Sequence, residues 1–122
     1  MAENKHYITQ MQDNGTLMIS EDVIADIVAH AISEVKGVIS LNTKTGSDFA
    51  ELFGKKNWAR GIKVTISQSD DVKVDCNISV RFGENVVEVC KSAQQAVINE
   101  LESVTGLKIA AVNMNVYGII HQ

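Results

Sequence analysis

The run VKVDCNISVRF, residues 72 to 82, alternates without a break between apolar and polar side chains. Val72, Val74, Cys76, Ile78, Val80 and Phe82 fall on one side of an extended chain, with Lys73, Asp75, Asn77, Ser79 and Arg81 on the other. Successive strand side chains point to opposite faces, so a period of two held this long demands a strand buried on one face and wet on the other. A helix would scatter the same residues around its circumference. Just upstream, Ile62, Val64 and Ile66 alternate with Lys63, Thr65 and Ser67. The QSDD turn between the two runs predicts an antiparallel hairpin.

A single hairpin cannot bury its own apolar face, so the partner layer must come from elsewhere. Two stretches have helical spacing. Val23, Ile24, Ile27, Val28, Ala31, Ile32 and Val35 form one stripe, with Ser20 as N-cap, Glu21 and Asp22 in the first turn and Gly37 as the stop. Val86, Val89, Cys90, Ala93, Val97, Leu101 and Val104 form the other, opened by an Asn85/Glu88 capping box and closed by Gly106. TLMIS (16–20), VISL (38–41) and the alternating Val112, Met114 and Val116 supply three more strands, and Ser47 can cap a short helix through DFAELF. The predicted order is β-α-β-β-β-α-β. It makes an α/β (α+β) two-layer sandwich, with a mixed, mostly antiparallel sheet, both main helices on one face and the other face open and polar. Residues 1–14 are polar and aperiodic and read as a flexible lead-in; residues 15–122 form one domain.

The chain is 122 residues long, 45% hydrophobic and 21% charged, which suits one globular domain. Cys76 and Cys90 have no CxxC spacing and fall on the two apolar stripes, so they read as inert core thiols in a reducing compartment. The first residues carry no apolar signal segment, and Asp26 and His30 interrupt the longest apolar stretch. A cytoplasmic protein with no membrane span of its own is the expectation.

With a net charge of −4, the molecule as a whole repels polyanions. One stretch runs against that balance. FGKKNWARG (53–61) sets Lys55, Lys56 and Arg60 around the only tryptophan, Trp58. Facing outward, Trp58 would anchor a protein partner while the cations steer an acidic one toward it. Facing inward, it would plug the core and leave the cations as solvated neighbours. Both readings stand at this point. On the polar sheet face, Arg81, Asn113, Asn115 and Tyr117 are candidates for a self-association surface, against the plain alternative of a solvated face.

Catalytic patterns are missing. There is no GxSxG, P-loop or dinucleotide glycine motif, His6, His30 and His121 have no ligand-spaced partners, and no metal or cofactor is expected. A small RNA-binding module using the basic loop 55–63 is the alternative class. It is disfavoured because no two glycines have the GxxG spacing of a KH loop and the polar face lacks paired aromatics for base stacking.

In order along the chain, Ile19-Ser20 with Val23-Ile24, Gly61-Ile62-Lys63-Val64, Val74-Asp75, Phe82-Gly83, Thr105-Gly106-Leu107 and Val112-Asn113-Met114-Asn115-Val116-Tyr117-Gly118-Ile119 resemble the alkaline shock protein family. The resemblance runs from about Gly15 to Ile119; it departs at Phe82, where tyrosine is commoner, and at Met114, where valine is. It implies a small cytoplasmic protein of Gram-positive bacteria tied to alkaline and envelope stress, with no catalytic residue to carry over. For some members it also implies membrane association through an integral membrane partner. The KKNWARG loop resembles the branch found beside fatty-acid-kinase-like proteins, which makes such a protein a second partner class. The expected function is therefore non-enzymatic: self-association into a homo-oligomer and binding of protein partners.

Overall fold

A computed structural model describes residues 6–41 and 61–121. The helix expected through DFAELF and the loop residues Lys55, Lys56, Trp58 and Arg60 lie outside the described residues.

Strands β1 (Tyr7–Gln12) and β2 (Gly15–Ser20) form an antiparallel hairpin with Ile8 opposite Ile19. The loose lead-in expected over residues 1–14 is thereby corrected from Tyr7 onward. YITQMQ offers no apolar alternation: its inward row is Ile8, Gln10 and Gln12. Pairing with β2 and the burial of Ile8 and Ile19 make it a strand, each side chain contributing about 1.5–3 kcal/mol. The Glu21 N–H donates to the His6 carbonyl at 2.8 Å, tying the hairpin's start to the first turn of the following helix.

Helix α1 (Glu21–Ser33) follows directly. The Ser20 hydroxyl accepts the Val23 N–H at 3.3 Å, and Glu21 and Asp22 sit in the first turn, where carboxylates favour the helix dipole. Ile24, Ala25, Val28, Ala31 and Ile32 are buried. Val23, counted into the stripe from sequence, is exposed, while Ile24 beside it in the same turn is fully buried. The helix ends at the Glu34 cap, and Gly37 follows in the turn with φ of 98°.

Strands β3 (Val38–Leu41), β4 (Ile62–Ile66) and β5 (Val72–Arg81) are antiparallel neighbours, with β3 and β4 placed end to end along one edge of β5. Helix α2 (Val86–Thr105) has the Asn85 side chain accepting the Glu88 N–H at 3.0 Å, and it stops at left-handed Gly106. It buries Val89, Ala93, Val97 and Leu101, four residues apart. It also returns the chain so that β6 (Ile109–Ile120) pairs parallel to β5 along the other edge. A parallel neighbour needs such a crossover. The order is β-β-α-β-β-β-α-β, the expected two-layer architecture with one strand added at the start.

β5 is the middle of the molecule. Val72, Val74, Cys76, Ile78 and Val80 are all fully buried in one core cluster with the apolar stripes of α1 and α2, which also pack on each other. Phe82, assigned to this row from sequence, is 60% exposed. The strand has ended at Arg81, and the chain turns away at Gly83 with φ of 99°.

Candidate interaction face

The face of the sheet away from the helices has three ranks. Lys63 and Thr65 of β4 lie opposite Asp75 and Lys73 of β5. On β5's other side, Asp75 faces Asn113 and Asn77 faces Asn115 of β6. The side chains meet: Asn113 Nδ2 donates to Asp75 Oδ1 at 2.9 Å, and Asn115 Nδ2 donates to Asn77 Oδ1 at 3.1 Å. Lys63 stands in register with Asp75, which accepts from Asn113, so a cation, a carboxylate and an amide form one row across the strands. The two amide bonds hold β6 in register with β5.

The expectation of an evenly solvated face is corrected at its centre, where Asn77 and Ser79 are only 7% and 3% exposed. Such burial is affordable because Asn77 is bonded to Asn115. Opposite Ser79 stands Gly118, and a Cβ there would lie 3.2 Å from the Ser79 hydroxyl, so the glycine lets the two strands close over that side chain.

Of the four residues proposed for self-association, three lie along β6. Asn113 is exposed and Asn115 half-buried, each with one amide hydrogen engaged by β5. Tyr117 is 67% exposed at a register shift where Ile78 pairs with Val116 but Ser79 with Gly118. Arg81 stands apart at the strand's end, in register with Ile120. Its side chain is exposed, and its N–H donates to the Gly37 carbonyl at 2.8 Å.

Two features went unread in the sequence. Phe82 stacks on His121 with ring centroids 4.2 Å apart and an interplanar angle of 22°, a contact between chain positions that no local pattern links. Second, Gln94 of α2 donates to the Val112 carbonyl at 2.9 Å, on the outer side of β6. The one signal available was the composition of the strand: IAAVNMNVYGII carries no charge.

Neither thiol suits redox chemistry. Burial, helped by the neighbouring Asp75 charge, pushes Cys76 up from 9.0 to about 12, and burial also raises Cys90. A reactive thiol needs the opposite shift. Among the described residues, no three His, Cys, Asp or Glu side chains cluster in a way that could hold a metal ion, and no helix is long and apolar enough to cross a membrane.

A model of the alkaline shock protein 23 family matches residues 9–121. The chain belongs to that family. The family is described as having a cell envelope-related function, and its match takes in most of the β1–β2 hairpin as well as the sandwich. Among curated relatives, this member of the alkaline shock protein 23 family is 32% identical over 105 residues to the uncharacterized protein YqhY of Bacillus subtilis, covering 86% of this chain and 77% of that one. It is 33% identical over 108 residues to the uncharacterized protein Spy1614 of Streptococcus pyogenes serotype M6, covering 87% and 88%. Against the uncharacterized protein YloU of Bacillus subtilis it is 27% identical over 107 residues, covering 86% and 88%. No solved structure matches the chain.

Proposed function

We propose that this family member is a non-enzymatic interaction protein of envelope homeostasis, working in the cytoplasm by associating with itself and binding protein partners. The observation that supports this best is the face opposite the helices. There a polar, self-satisfied ladder runs out to an uncharged strand bearing the exposed Tyr117. Tyrosine, with its large, stiff and amphipathic side chain, is favoured where proteins meet. Partner binding is assigned to Lys55, Lys56, Trp58 and Arg60. The five cations against two anions between Lys44 and Lys63 would steer an acidic partner, while the remainder of the chain holds polyanions off. An integral membrane protein or a fatty-acid-kinase-like protein is the partner class, the first giving the protein a place at the membrane without a span of its own.

The test is a pull-down from native cells at low salt, with bound proteins identified by mass spectrometry and bound nucleic acid measured in parallel. Recovery of an integral membrane protein or a kinase-like protein is expected, and should weaken as salt rises. Co-purification of RNA in place of protein would overturn the reading in favour of nucleic-acid binding by the basic loop 55–63.

A further inference from the structure

The outer edge of β6 can be read from the hydrogen bonds of its neighbour. The Asn77 and Arg81 N–H groups donate to Gly61 and Gly37 at 2.8 Å, so the odd residues of β5 face β4 and β3. Its even residues therefore face β6. In a parallel ladder a residue bonds to the two neighbours of its register partner, so Cys76, opposite Met114, engages Asn113 and Asn115. The backbone groups of Val112, Met114 and Val116 then point away from the sheet. The Gln94 amide on the Val112 carbonyl marks that same outer side.

An edge of this length is ordinarily blunted by lysine, proline or a covering element. IAAVNMNVYGII contains neither residue, and among the described residues only Gln94 and the register shift at Tyr117 interrupt the edge. We propose that β6 pairs antiparallel with β6 of a second copy about a twofold axis at Met114. The inference rests on the self-association reading above and gives it a surface and a register.

The strand is complementary to itself in that register. Met114 meets Met114 of the second copy, and Val112 meets Val116, so the outward backbone groups exchange hydrogen bonds in pairs. The Val112 carbonyl, already holding Gln94, has a second lone pair to offer. On the polar face, Asn113 meets Asn115 of the second copy. Each donates one amide hydrogen inward, to Asp75 and Asn77, and keeps a second hydrogen and its Oδ1 for the neighbour across the axis. The amide ladder thus continues from one copy into the other. Ala111 falls opposite Tyr117, a small side chain beside a large one, and no like charges meet because the strand has none.

Light scattering on three proteins tests this. The wild type should show twice the 13.3 kDa chain mass at high concentration. Asn113→Lys with Asn115→Lys sets lysine against lysine on both sides of the axis and should give the single-chain mass. Asn113→Lys with Asn115→Asp sets opposite charges together and should restore the doubled mass. If the double-lysine variant keeps the wild-type mass, the edge pairing is wrong while self-association stands through another surface. A Lys/Asp variant that remains at single-chain mass overturns the register about Met114. If the wild type holds the single-chain mass throughout, self-association itself fails and the pairing with it. Should the double-lysine variant not fold, amide exchange at Met114 and Val116 of the wild type decides: protection that grows with protein concentration supports the pairing, and none overturns it.

Discussion

Of the five glycines Gly15, Gly37, Gly83, Gly106 and Gly118, Gly37 is the most tightly enclosed. Its φ of 98° disfavours any side chain, and a Cβ there would lie 2.8 Å from Val89 Cγ2. Gly83 has nearly the same φ, 99°, with no atom within 4 Å of the same point. The pair separates backbone strain from steric conflict. Gly83→Ala should cost about 1 kcal/mol from strain alone, and Gly37→Ala about 2–3 kcal/mol, since α2 must shift off its seat. Thermal melts would read this as a clearly larger drop for Gly37→Ala; equal drops would mean that Val89 yields freely. Cys76 gives a second expectation. Its folded value of about 12 stands above the ordinary 9.0, so the buried thiol's contribution is whole below pH 9 and drains away as pH climbs toward 12. At pH 10 the loss is on the order of 1 kcal/mol. Cys76→Ala should lower stability at pH 7 yet flatten the decline between pH 9 and 11 in denaturant titrations. Parallel pH profiles for the two proteins would show that the thiol stays protonated in both states.

At the scale of elements, β5 holds the molecule together, since β3, β4 and β6 all pair with it and its apolar row shares one core with both helices. Ile78, fully buried at its centre, is the sharpest probe. Ile78→Asp would place an unpaired charge in the core at a cost of several kcal/mol, comparable to the whole stability of a domain this size. Circular dichroism should report an unfolded or barely folded chain; a melt within a few degrees of wild type would reverse the orientation of the sheet. This element was legible from sequence because one face of it is uniformly apolar. The β1 strand was not, since its pattern is mostly polar and its strand state comes from pairing with β2. Phe82 misled for a related reason: alternation continues one residue past the point where the strand stops, and only the turn at Gly83 ends the row.

For the molecule as a whole, the basic loop and the polar face should be separable functions. Changing Lys55, Lys56 and Arg60 together to Glu should leave the melting temperature nearly unchanged, at the roughly half a kcal/mol or less that a surface substitution costs. The same change should abolish recovery of the principal partner while leaving the light-scattering mass intact. Partner recovery at wild-type level would reduce the loop to a solvated segment. Trp58→Ala distinguishes the two roles open to that side chain: a large fall in melting temperature marks a core plug, and lost partner binding at unchanged stability marks an anchor.

The sequence by itself determined the layers. Period-two and helical spacings, Ser20 and Asn85 as caps, and Gly106 as a stop are local signals written in adjacent residues, and together they required helices over one face of a sheet. Beyond the β4–β5 hairpin, which the QSDD turn announced, tertiary structure alone decided which strands are neighbours. Nothing in the residues of β6 says that it lies parallel beside β5, that Asn113 and Asn115 meet Asp75 and Asn77, or that Gln94 reaches its outer side. Asn77 and Ser79 make the same point. Their alternation assigns them to the wet face, but their burial depends on β6 and Gly118 closing beside them, a contact between positions tens of residues apart. Local spacing fixes which way a side chain points; what it meets there is set by chain segments that only the fold brings together.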